Sequence, residues 1–136
     1  MFYLKKKISG LWFYGLSGSG KTYASSYLKD KIKKSFVIDG DYIRKELSKD
    51  LSYTINDRTK QINRMLSIAK LAIKNNTFPL ISTVWMTKQI FQIASKNKIL
   101  VIEIIRKNFE TIKKKHKTYK NKKNVVGKNF NLEKIR

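Results

Sequence analysis

Gly15-Leu16-Ser17-Gly18-Ser19-Gly20-Lys21-Thr22 is the stretch that decides the fold. It fits GxxxxGK[ST], a pattern in which glycines let successive backbone N–H groups turn toward one phosphate. The lysine of such a loop reaches the β- and γ-phosphates of ATP, and the hydroxyl after it ligates Mg²⁺. The pattern has this meaning only between a strand and a helix. Residues 8–14 are a nearly continuous apolar and aromatic run, as in a strand buried on both faces, and residues 22–33 read as a helix. Gly15, Ser17, Gly18, Ser19, Gly20, Lys21 and Thr22 therefore form the candidate cofactor site, with Thr22 on the metal.

Working outward, a second strand over residues 35–38 stops at Asp39-Gly40-Asp41. In a parallel sheet the carboxyl end of that strand lies beside the phosphate loop, where two carboxylates can hold Mg²⁺ and take a proton from an attacking hydroxyl. The same triplet also suits a turn and a helix N-cap. Residues 42–47 suit a short helix and 53–55 a loop. Ile62, Met65, Leu66, Ile68, Ala69, Ala72 and Ile73 then mark the apolar face of a long helix ending near Asn75-Asn76, with Asp57 as its candidate N-cap. The pattern predicts strands at 79–84 and 99–105, a helix at 86–95, and a further helix capped by Asn108 and running toward Lys115. Strands alternating with helices define an α/β, three-layer fold with a mostly parallel sheet of about four strands. The expected organisation is one domain over residues 1–136, with a lysine-rich helix and lid over about 106–128.

Composition bounds the function. The 136 residues carry 31 Lys+Arg against 9 Asp+Glu, a net charge of +22, and no cysteine, which excludes disulfide, zinc-finger, iron–sulfur and thiol chemistry. Of the basic residues 26 are Lys and 5 are Arg, and the chain has 17 Ile and 10 Asn, a bias an A/T-rich genome produces by itself. Residues 106–136 nonetheless hold 12 basic and 2 acidic side chains, a local excess that attracts phosphates. Lys5-Lys6-Lys7 before residues 8–14 superficially resembles a signal peptide, but cleavage would remove the phosphate loop, and no apolar run reaches the ~18 residues of a membrane span. The expected location is the cytoplasm. Lysines spread over nearly every segment without a recognition motif disfavour nucleic acid as the partner. In so lysine-rich a chain, Arg44 and Arg58 close after the acidic triplet point to planar, bidentate recognition of an anion.

These residues resemble the adenylylsulfate kinase family. The resemblance rests on Gly15 to Thr22, on Asp39-Gly40-Asp41 with Arg44, on Leu51-Ser52-Tyr53-Thr54 with Asp57-Arg58, and on Val125-Val126-Gly127. It implies transfer of the ATP γ-phosphate to the 3′-hydroxyl of adenylylsulfate, with ATP and Mg²⁺ as cofactors. It makes Lys21, Asp39 and Asp41 the catalytic residues, with Asp39 and Thr22 toward the metal. Arg44 and Arg58 grip the phosphosulfate, Tyr53 stacks on the base, Gln61, Ile62 and Lys117 complete the acceptor set, and Lys117 with Tyr119 belongs to a mobile lid. The partner implied is a small-molecule nucleotide, and a homodimer stays open.

The departures are specific. Gln61-Ile62-Asn63-Arg64 stands where the family has an Asn-Ile-Arg-Arg run, and Val84-Trp85-Met86-Thr87 where it has Ile-Ser-Pro-Tyr, with Phe91 near an expected arginine. The lid is shortened to Lys115-His116 and Lys117-Thr118-Tyr119, and the chain is expected to lack a C-terminal strand and helix that help enclose the ATP base. The alternatives are a kinase for another nucleotide-linked anion, such as a cytidine diphosphate derivative, or a nucleotide-binding protein without catalysis.

Overall fold

The computed structural model describes residues 7–121 and 123–135, so Lys5 and Lys6 of the N-terminal basic run, and Lys122 and Arg136 of the C-terminal one, lie outside the described residues. Strands β1 (Gly10–Tyr14), β2 (Ser35–Asp39), β3 (Phe78–Thr83) and β4 (Ile99–Glu103) alternate with helices α1 (Lys21–Lys31), α2 (Gly40–Glu46), α3 (Ile55–Lys74), α4 (Lys88–Lys96) and α5 (Phe109–Lys115). The strands pair in the order β2-β3-β1-β4 with every pairing parallel. Period-2 alternation sorts the β1 side chains onto the two faces. Leu11 and Phe13 pack with Leu80 against Ala24 and Leu28 of α1 and Ile32 at its C-cap. Trp12 and Tyr14 join Ile62, Met65, Leu66 and Ala69 of α3 and Ile90 and Ala94 of α4 on the other face. The three layers expected from the sequence are these.

Register places the chemistry. Asp39 aligns with Ser82, and Tyr14 with both Thr83 and Glu103, so all four strands end at one rim. β3 lies between β2 and β1, so Asp39 ends a strand two positions, about 10 Å, from the one that feeds the phosphate loop, at the same rim. Three helix-to-strand turns close on Lys34, Asn76 and Lys98, each with φ between 54 and 61°.

Two caps also differ. Thr54, not Asp57, is the N-cap of α3, its hydroxyl accepting from the Asp57 N–H at 3.2 Å; Asp57 sits inside the first turn, where its carboxylate accepts from the Ser52 amide and hydroxyl. Asn108 precedes α5 without a side-chain capping bond, because its own dihedrals (φ −95°, ψ 36°) are not the extended ones from which an N-cap side chain reaches back. The α4 helix begins at Lys88, capped by the Thr87 hydroxyl, rather than at 86. Among the described residues no helix is long and apolar enough to cross a membrane.

Candidate active site

The chain leaves β1 at Gly15, whose amide donates to the Thr83 carbonyl at 3.3 Å, and enters α1 at Lys21. Between them Gly20 holds φ +105° as the N-cap of α1, and a Cβ there would meet nothing within 4 Å. Conformation alone, not crowding, demands glycine at this position. The buried Ser19 hydroxyl oxygen has no hydrogen-bond partner among the described residues, an orphaned polar atom within the loop. Lys21 folds its ammonium back to donate to the Leu16 carbonyl at 3.0 Å. Burial lowers its pKa from 10.5 to about 8, against the opposing pull of Asp41 and Asp39. Thr22 follows in the first turn of α1, exposed.

Asp39 caps α2, its Oδ1 accepting from the Asp41 N–H at 2.9 Å. A cleft of about 570 Å³ opens here, lined by Val37, Asp39, Asp41, Tyr42 and Lys45. Gln61 is 3% exposed on α3 and donates its amide to the Gly40 carbonyl at 3.1 Å, tying the acidic turn to that helix; its buried Oε1 has no partner among the described residues.

Arg44 and Arg58 converge on one ring. The Arg44 guanidinium lies 4.2 Å and that of Arg58 5.3 Å from the Tyr53 centroid. Arg44 donates to the Ser52 carbonyl at 2.9 Å, while Arg58 donates to the carbonyls of Tyr53 at 3.0 Å and Asn124 at 2.9 Å. Among the described residues neither forms a salt bridge with a carboxylate, and Arg58 is only 9% exposed. Burial first, and the neighbouring Arg44 charge second, push the Arg58 pKa down to about 10. Two guanidinium groups that repel each other, held by neutral carbonyls, form a site complementary to an anion.

The remaining sequence-predicted residues divide. Ile62 is 1% exposed within the core cluster, so its side chain packs among Met65, Leu66 and Trp85 rather than lining the site. Lys117 is exposed on a short 3-10 helix, Lys117–Lys120. Tyr119 is buried against the phosphate loop, and Val125 and Val126 are buried as well. Arg64 is occupied by Asp50, with two 2.8 Å contacts, away from the arginine pair. Sequence reasoning missed Phe130, whose ring lies 5.9 Å from the Arg58 guanidinium and edge-on to Trp85 at 5.6 Å. It also missed the Asn124 carbonyl and Arg106, which donates to the Gly18 carbonyl at 3.3 Å. An aromatic so soon after Val125-Val126-Gly127 was the one available signal.

Comparison with known proteins identifies the family and the fold. The family profile described as Adenylylsulphate kinase matches residues 7–123. The chain is 43% identical over 72 residues to the adenylyl-sulfate kinase of Clostridium acetobutylicum, covering 50% of this chain and 36% of that protein. It is 41% identical over 70 residues to the probable adenylyl-sulfate kinase of Pseudomonas aeruginosa, covering 48% of this chain and 33% of that one. The match thus spans about a third of the length of each of these relatives. The fold superposes on the Mycobacterium tuberculosis APS kinase CysC, solved in complex with AMPPNP and APS, with a TM-score of 0.74 at 21% identity, covering 94% of this chain and 83% of that one. With the profile extending over residues 7–123, the chain belongs to the adenylylsulphate kinase family.

Proposed function

We propose that the protein transfers the γ-phosphoryl group of ATP to the 3′-hydroxyl of adenylylsulfate, giving 3′-phosphoadenylylsulfate and ADP, in the cytoplasm. The observation that carries this reading is the Arg44–Tyr53–Arg58 cluster, two cations that form no contact ion pair among the described residues, at the same sheet rim as a phosphate loop. An acceptor bearing a phosphosulfate supplies the missing anion and an adenine for Tyr53 to stack on. Gly15, Ser17, Gly18, Ser19 and Gly20 line the triphosphate, and Lys21 swings from the Leu16 carbonyl to the β- and γ-phosphates.

The Thr22 hydroxyl and the Asp39 carboxylate are hard oxygen donors suited to Mg²⁺, and no group of three or more His, Asp or Glu forms a protein-only metal cage among the described residues. Held there by Thr22 and Asp39, the ion would supply neutralisation of the charge on the transferred phosphoryl group. The 3′-oxygen attacks the γ-phosphorus as the bond to the β–γ bridging oxygen breaks, ADP leaves, and the hydroxyl proton passes to Asp39 or Asp41. Gln61 holds the turn bearing both carboxylates, and Lys117, exposed on the lysine-rich segment, supplies a further positive charge for the acceptor. The protein's part is positioning and electrostatic neutralisation. ADP release from MgATP, measured across adenylylsulfate and cytidine diphosphate derivatives, tests the assignment: adenylylsulfate gives the highest kcat/KM, and a preference for a cytidine nucleotide overturns it.

A further inference from the structure

Three side-chain donors, one from the end of the loop itself and two from 88 and 102 residues further on, hold three consecutive carbonyls of the phosphate loop. Lys21 Nζ donates to Leu16, Tyr119 Oη to Ser17 at 2.9 Å, and Arg106 Nη1 to Gly18. A trans peptide points its N–H away from its carbonyl, and no described peptide bond is cis. The amides of Ser17 and Gly18 therefore point away from the carbonyls that Lys21 and Tyr119 hold, as the N–H groups of an anion-binding nest would.

Tyr119 is built into this place. It is 6% exposed, its ring meets Phe109 and His116 edge-on at 5.7 and 6.0 Å, and its own carbonyl accepts from Lys128 Nζ at 2.8 Å. Burial raises its pKa above the usual tyrosine value, which keeps the hydroxyl a donor. Ile112 and His116 press on the same loop: a Cβ on Gly18, where φ is +85°, would lie 2.7 and 3.2 Å from them. The α5 segment therefore docks on the loop through packing, and Tyr119 adds the directional bond.

We propose that Tyr119 is a positioning residue for the phosphate loop, its hydroxyl fixing the Ser17 peptide so that the loop amides converge on the triphosphate. The proposal rests on the kinase reading for the identity of the anion. It makes triphosphate binding and docking of the lysine-rich segment mutually reinforcing, because both depend on one orientation of one peptide.

Tyr119→Phe keeps the ring contacts and deletes only the hydroxyl. Isothermal titration of AMPPNP into this variant is expected to show affinity weakened about fivefold, the effect of one hydrogen bond. The KM for ATP rises with it while that for the acceptor is unchanged. Phe109→Leu loosens the same packing but keeps the hydroxyl, and is expected to bind AMPPNP like the wild type. Wild-type affinity in Tyr119→Phe, alongside lost binding in Lys21→Ala, overturns this proposal and leaves the kinase reading intact. Equal weakening by Phe109→Leu and Tyr119→Phe also overturns it, reducing Tyr119 to packing. A wild-type protein that binds no AMPPNP overturns both.

Discussion

Arg58 donates Nη2 to the carbonyl of Asn124 at 2.9 Å, joining the first turn of α3 to a segment 66 residues later. The same guanidinium lies between the rings of Tyr53 and Phe130. A side chain with these contacts does two things at once, closing the C-terminal segment over α3 and presenting positive charge beside Arg44.

Replacing Arg58 by lysine separates the two roles. Lysine keeps the charge but cannot serve the Tyr53 and Asn124 carbonyls together, since its ammonium is a point and not a planar fork. Arg58→Lys is expected to raise the KM for adenylylsulfate by roughly tenfold, about 1.4 kcal/mol, while the KM for ATP moves by less than about twofold. Steady-state kinetics with each substrate varied in turn checks the split.

Lys21 gives a prediction in pH. Its folded pKa of about 8 lies below the ordinary 10.5, so near pH 8.5 the free protein holds this group mostly neutral, whereas the unfolded chain holds it charged. The sign follows: the unfolded chain binds more protons between about 8 and 10.5, so Lys21's penalty on folding is relieved as pH rises through that window. A bound triphosphate favours the ammonium and raises its pKa. Titration of ATP in buffers of different ionisation enthalpy near pH 8.5 should therefore reveal uptake of a fraction of a proton up to about one, vanishing near pH 6.5 and in Lys21→Arg.

Asp39 both caps α2 and faces the chemistry, and two substitutions tell these apart. Asp39→Asn retains an oxygen for the Asp41 N–H, so thermal stability stays near wild type, while loss of the carboxylate lowers kcat by on the order of 10²-fold or more. Asp39→Ala loses the cap as well, at about 1 kcal/mol. Melting curves paired with initial rates distinguish them; an active Asp39→Asn enzyme shifts the proton-accepting role to Asp41.

Much of this was legible in the sequence because it is local. An apolar run, a glycine turn and a helix at residues 8–33 leave few alternatives, and the recurrence of Ile62, Met65, Leu66 and Ala69 marks the buried face of α3 directly. That periodicity also explains why Ile62 is core: the spacing that placed it on the apolar face outweighs the resemblance that placed it near the acceptor. What stayed hidden is the docking of the C-terminal segment. Tyr119 on Ser17, Arg106 on Gly18 and Arg58 on Asn124 are side-chain bonds to backbone carbonyls across 66 to 102 residues, and a carbonyl leaves no trace in residue identity. The strand order was hidden for a related reason, since β3 inserts beside β1 only after three helices have been formed.

The central claim is the reaction itself, and phosphorus NMR of the purified protein with MgATP and adenylylsulfate tests it most directly. The account predicts a new phosphomonoester resonance coupled to the ribose 3′ proton, appearing together with ADP and absent with Lys21→Ala. ADP accompanied only by inorganic phosphate, or a folded protein that binds both nucleotides and yields no 3′-phosphoadenylylsulfate, would contradict it.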